Sequence, residues 1–121
     1  MTKLEAIKRI NEYLGEPALN DKNTHYSNVV VYGTDEGWWL KIPFLTFKQE
    51  LHFVFNNEKT KTYQYLKINA NQILSPGLKF RSSDGCADAF ISAANPKRLI
   101  DLLAGGSKYN FTRHVVHEYR H

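Results

Sequence analysis

Hydrophobic residues recur along this chain with two periods, and the changes of period mark its elements. Leu4, Ile7, Ile10 and Leu14 lie three or four apart, with Lys3, Lys8, Arg9 and Glu12 on the other side. That spacing predicts an amphipathic helix of about three turns. Thr2 and Glu5 have capping-box spacing, and Gly15 with Pro17 supplies the stop. Such a helix is suited to covering a sheet. Beyond the polar connection Pro17–Asn23, Tyr26–Tyr32 carries Val29-Val30-Val31, whose branched side chains suit a pleated strand buried on both sides or at a barrel wall. Gly33–Gly37 reads as a turn and Trp38–Ile42 as the returning strand, ended by Pro43, with Phe44–Lys48 as a short connection or one helical turn.

The strongest two-residue period falls in Glu50–Asn69, where two aromatic and branched runs flank a polar break. This predicts a β-hairpin. A two-residue turn at Glu58-Lys59 and a four-residue turn at Asn57–Thr60 give one parity, setting Phe55 opposite Thr62 and Phe53 opposite Gln64. Leu51, Phe53, Phe55, Leu66 and Ile68 then line one face, and Glu50, His52, Tyr63, Tyr65 and Lys67 the other. The first set is core. The second mixes phenols, an imidazole and a cation, a composition that suits stacking on a ligand or packing under a further layer. Adjacent residues of a strand point to opposite faces, so one of Trp38 and Trp39 enters the core and the other lies on the second face.

After the hairpin, Ala70–Gly77 is irregular, Leu78–Arg81 reads as a short strand and Ser82–Gly85 as a turn. Ala87–Ser92 is too short for its period to separate strand from helix. Asn95 as N-cap, Pro96 at the first helical position and an apolar set of Leu99, Ile100, Leu102 and Leu103 predict a second helix over 96–104, closed by Gly105-Gly106. Thr112, Val115 and Val116 favour a strand in the tail.

Residues Ala87 to Leu103, Ala-Asp-Ala-Phe-Ile-Ser-Ala-Ala-Asn-Pro followed by a leucine-rich stretch, resemble a segment near the end of Ead-type accessory proteins of lambdoid phages. The resemblance covers about a seventh of the chain and brings no catalytic residues. It implies a phage or mobile-element accessory protein, and a helical Ala87–Ala93.

The fold expected is α+β in a single domain, 1–121: a mostly antiparallel, curved sheet of about five or six strands, with the N-terminal helix and the second helix packed on it. No apolar run is long enough to span a bilayer, so no membrane partner is expected. The opening residues are too charged for a secretory signal, and the lone Cys86 fits a reducing compartment, giving a cytoplasmic expectation. Charge is uneven. Residues 1–58 hold six Lys/Arg against eight Asp/Glu, and 59–121 hold ten against four. A basic half is compatible with nucleic acid, through Lys59, Lys61, Lys67, Arg81 and Arg113 converging beside an exposed aromatic.

Motifs for catalysis are missing. His114-Val-Val-His117 lacks the glutamate placement of a zincin, one cysteine argues against structural zinc, and no nucleophile elbow or phosphate-binding glycine loop occurs. No metal or cofactor is expected. The chain reads as a non-enzymatic binding module contacting protein, a second copy of itself, or nucleic acid. The candidate residues are His52, Tyr63, Tyr65, Lys67, Lys59, Lys61, Trp39, Arg81 and Arg113. The alternative is a small enzyme or ligand-binding protein whose cleft brings His52 and Tyr65 to Asp84 or Asp88.

Overall fold

The computed structural model describes all 121 residues. The chain is α+β, with eight strands in two four-stranded sheets instead of one sheet of five or six. Helix α1 spans Lys3–Leu14. The strands are β1 (Thr24–Asn28), β2 (Val30–Tyr32), β3 (Asp35–Pro43), β4 (Leu51–Asn57), β5 (Thr62–Ile68), β6 (Arg81–Ser83), β7 (Cys86–Ser92) and β8 (Val115–Arg120). A single-turn helix α2 (Pro76–Lys79) precedes β6, and 3-10 turns cover Phe44–Lys48 and Phe111–His114. One sheet has the order β1-β4-β5-β8, the other β2-β3-β7-β6. The first is sandwiched between α1 and the second sheet, so it is called here the inner sheet and the other the outer sheet.

Helix α1 forms where the sequence placed it. Thr2 is the N-cap, its hydroxyl accepting from the Glu5 amide, and Gly15 closes the helix in the left-handed region. Ala6, Ile7 and Ile10, with Leu19, bury against Val54, Tyr63, Tyr65 and Tyr119 of the inner sheet. Burying each large side chain is worth about 1.5–3 kcal/mol, so this stripe fixes the helix to the sheet.

The second core lies between the sheets. Leu51, Phe53, Phe55, Leu66 and Ile68 meet Trp38, Leu40, Ile42, Ala87, Ala89 and Ile91, with Leu99 and Phe111 filling the same layer. The face assignment of the β4–β5 hairpin therefore holds, but its register is displaced by one pair on each face. Phe55 pairs with Gln64 and Phe53 with Leu66. The displacement comes from the turn. Asn57 Oδ1 accepts from the Lys59 and Thr60 amides, and Lys61 takes a left-handed φ of 56°, closing a turn over 58–61. Parity is unchanged, so every side chain keeps its face.

Four expectations are overturned, three of them by pairing requirements. The run 26–32 is not one doubly buried strand. β1 pairs parallel with β4 while β2 pairs antiparallel with β3, and the chain crosses between the sheets at Val29, whose amide donates to the Asn56 carbonyl at 3.3 Å. No helix forms over 96–104. β6 pairs only with Cys86–Asp88, leaving the rest of the β7 edge to be satisfied. The extended segment 100–102 does this: the Ser92 amide donates to the Ile100 carbonyl and the Leu102 amide to the Phe90 carbonyl. Residues 87–92 are accordingly strand, not helix, and Leu78–Lys79 belongs to α2. The tail strand is present as β8, and no helix is long and apolar enough to cross a membrane.

Candidate functional site

Alternation along β3 and β7 decides which residues the outer sheet shows. Trp38, Leu40 and Ile42 turn inward, so Gly37, Trp39 and Lys41 turn out. Cross-strand register then places Val30 beside Gly37, Phe90 beside Trp39, and Asp88 beside Lys41. The Ile91–Asp101 bridge puts Leu102 next to Phe90 on the same side. Trp38 is 3% exposed and Trp39 40%, so the split expected of the two indoles is realised.

Trp39, Tyr32 and Phe90 form one aromatic cluster. Ring centroids lie 4.9 Å apart for Tyr32–Trp39, 5.0 Å for Trp39–Phe90 and 5.5 Å for Tyr32–Phe90. Gly37 makes the cluster possible. A Cβ there would meet the Ile91 carbonyl oxygen and come within 2.9 Å of the Phe90 ring. Phe90 is buried beneath its neighbours, whereas Val30, Tyr32 and Leu102 are 41%, 49% and 42% exposed. No element covers them. Asp101 supports the far side of the patch from below. It is buried, and its carboxylate accepts from the amides of Phe90, Leu103 and Ser107 and from the Ser107 hydroxyl.

The opposite end of the same face is polar. Lys41 Nζ is 3.5 Å from Asp84, the Ser83 hydroxyl donates to Asp88 at 2.6 Å, and Arg81 donates to the Ala104 carbonyl at 3.1 Å. With Asp35, Asp84 and Asp88 set against Lys41 and Arg81, the face is not electropositive. Asp84-Gly85, both at positive φ, make the tight turn between β6 and β7. Cys86 is half-buried and unbonded to any other cysteine.

The remaining candidates are scattered. His52, Tyr63 and Tyr65 lie sealed under α1. His52 Nδ1 and the Tyr65 hydroxyl share a 2.7 Å hydrogen bond. Glu50 Oε1 stands 3.0 Å from His52 Nε2, but the ring nitrogen makes no aligned hydrogen bond to it. Burial pushes the His52 pKa down, with Glu50 opposing, and pushes Tyr65 up to about 12, with the charge of Glu50 adding to the rise. A Tyr–His–Glu string could relay a proton, yet His52 and Tyr65 line none of the larger cavities. Asp84 and Asp88 are on the outer sheet, across both sheets and the core between them from His52. The cleft required by the enzyme alternative is not formed.

The basic residues do not converge either. Lys59 pairs with Glu36 at 3.1 Å and Lys61 with Glu58 at 3.6 Å at the hairpin turn, while Lys67 pairs with Glu50 at 3.4 Å near the other end of β5. Arg81 is on the outer sheet, and Arg113 packs 5.6 Å from the Tyr109 ring centre, which Lys79 also approaches. The largest cavity, about 400 Å³, opens between α1 and the end of β8 and is lined by Arg9, Glu12, Tyr13, Tyr63, Arg120 and His121. Burial raises the Tyr63 pKa and Arg9 opposes the rise, but the hydroxyl has no hydrogen-bond partner. No group of three or more His, Cys, Asp or Glu residues is placed to hold a metal ion.

Of the expected residues, only Trp39 and Arg81 share the bare face. Tyr32, Val30, Phe90 and Leu102 were missed. Their signal was the alternation of Val30 and Tyr32 opposite Gly37 and Trp39, obscured by reading the valines as buried. Comparisons with models of protein families, with characterised proteins and with solved structures find no match to this chain.

Proposed function

We propose that the protein is a non-enzymatic protein-binding module whose contact surface is the outer face of the β2-β3-β7-β6 sheet. The observation that carries this reading is the aromatic cluster of Tyr32 and Trp39 over Phe90, uncovered in a molecule that uses a helix to cover its other sheet face. Exposed Trp and Tyr over a rigid strand pair are the side chains that anchor protein interfaces at low entropic cost. The carboxylates beside them disfavour a phosphate backbone. A small accessory protein of a phage or mobile element, the setting suggested by the Ala87–Leu103 resemblance, would work in this way in the cytoplasm.

The test is a photo-crosslinking residue at position 39, compared with one at the exposed Lys8 of α1, both in expressing cells. The reading expects protein adducts at 39 well above those at 8. Equal yields at the two positions remove it. Adducts digested by nuclease would transfer the surface to nucleic acid.

A further inference from the structure

Each sheet ends in two free edges, and these are protected unequally. β8 carries His117, Glu118 and Arg120, and β6 begins with Arg81. Charges on an edge oppose their own copies when a strand pairs with itself, which keeps such edges apart. β1 is uncharged at neutral pH but polar, Thr-His-Tyr-Ser-Asn, with four of its five residues buried or half-buried. β2 differs from all three. Val30, Val31 and Tyr32 are 41%, 69% and 49% exposed, and no Asp, Glu, Lys or Arg occurs between Lys22 and Asp35. β2 is hydrogen-bonded on one side only, to β3, so its other row of backbone donors and acceptors is open.

We infer that the surface receives a second copy of this chain, by antiparallel pairing of β2 with its counterpart about a two-fold axis at Val31. This rests on the reading of the outer sheet as a protein-binding surface and names what occupies its β2 edge. In that register Val31 faces its own copy, and Val30 faces the partner copy's Tyr32. Pairing is confined to these three positions, because the chain leaves for the inner sheet at Val29 and turns at Gly33, and it brings no like charges together. The edge is complementary to itself, which an isologous interface requires. Tyr32 and Val30 lie on the outer face together, so the two aromatic clusters become neighbours across a continuous eight-stranded sheet. The contact is small, so roughly micromolar association is expected rather than an obligate dimer.

The experiment is sedimentation velocity on the purified full chain and on Val31→Lys and Val31→Glu, singly and as an equimolar mixture. Val31 is solvent-exposed and outside both cores, so both variants should keep the fold, checked by circular dichroism and by Trp38 emission. The unsubstituted chain should show a concentration-dependent dimer. Each variant alone should weaken it by about tenfold or more, because like charges meet at the axis. The mixture should restore it as a heterodimer. A wild type that stays monomeric, variants that dimerise as well as wild type, or a mixture no better than its components each overturns the pairing. If position 39 still crosslinks to other proteins in cells, the binding face survives that failure. If it does not, both fall.

Discussion

The two outward-turned sheet faces are built from similar material and have opposite fates. The inner sheet turns Val54, Tyr63, Tyr65 and His52 toward α1 and buries them. The outer sheet turns Tyr32, Trp39, Phe90 and Lys41 toward nothing. Aromatic rings interleaved with a titratable group are present in both, so composition does not distinguish a face that folds the protein from one that is available. What distinguishes them is a cover within reach of the chain. α1 carries an apolar stripe and leads by a short connection into β1, whereas no second helix forms to cover the outer sheet. The polar groups differ accordingly: His52 is held to Tyr65 away from water, while Lys41 and Asp84 form an exposed pair worth little to stability.

If that contrast is right, substitutions on the two faces should separate in stability. Ile10→Ala, which opens the contact of α1 with the inner sheet, should cost about 3 kcal/mol by urea denaturation and promote dye binding to the uncovered face. Tyr65→Phe, which takes away the hydrogen-bond partner of His52 Nδ1, should cost about 1–2 kcal/mol. Trp39→Thr should cost no more than about 1 kcal/mol by the same denaturation and yet lower the yield of protein adducts captured on the outer face. A loss of stability at position 39 matching that at position 10 would mean that the outer face is also structural.

Acid should act mainly on the buried and half-buried histidines, not on the outer face. Burial is the largest cause holding the His25 and His52 pKa values down, and it takes His114 to about 4, with the Arg113 charge adding to the shift. Depressed imidazole pKa values mean that the unfolded chain binds more protons as pH falls below about 6.5. Stability is full above that pH and declines toward 4. Glu58 contributes separately: hydrogen bonds from the Met1 ammonium and Asn56 hold it at about 2, so its share is lost only below about 4.5. The melting temperature should therefore drop between pH 7 and pH 5, and His114→Phe should flatten that decline. An unchanged slope in the variant would assign the acid sensitivity elsewhere.

Local patterns were legible wherever one element satisfied its own needs. α1 came with its cap and stop, the hairpin with its faces, and Asp84-Gly85 with its turn. Long-range satisfaction was not legible. Asn95 does accept from the Lys97 amide as an N-cap would, but the open edge of β7 requires an extended strand at 100–102, and tertiary pairing overrides helix preference. Asp101, set among Leu99, Ile100, Leu102 and Leu103, is a buried acceptor for three amides and a hydroxyl, a role that no local pattern announces. The candidate site was half legible for the same reason. Trp39 was readable from alternation, whereas the exposure of Tyr32 depended on Val29 carrying the chain from one sheet to the other.

The adjacent tryptophans have an optical consequence. Trp38 stacks on Phe55 at 5.0 Å, and its indole N–H donates to the Asn56 carbonyl at 2.9 Å inside the sandwich. Trp39 stands half in water one residue later. Neighbours in sequence thus sit in environments of different polarity, and acrylamide should quench one emission component while sparing the other. A single spectrum would then report core integrity from its blue component and occupation of the outer face from its red one.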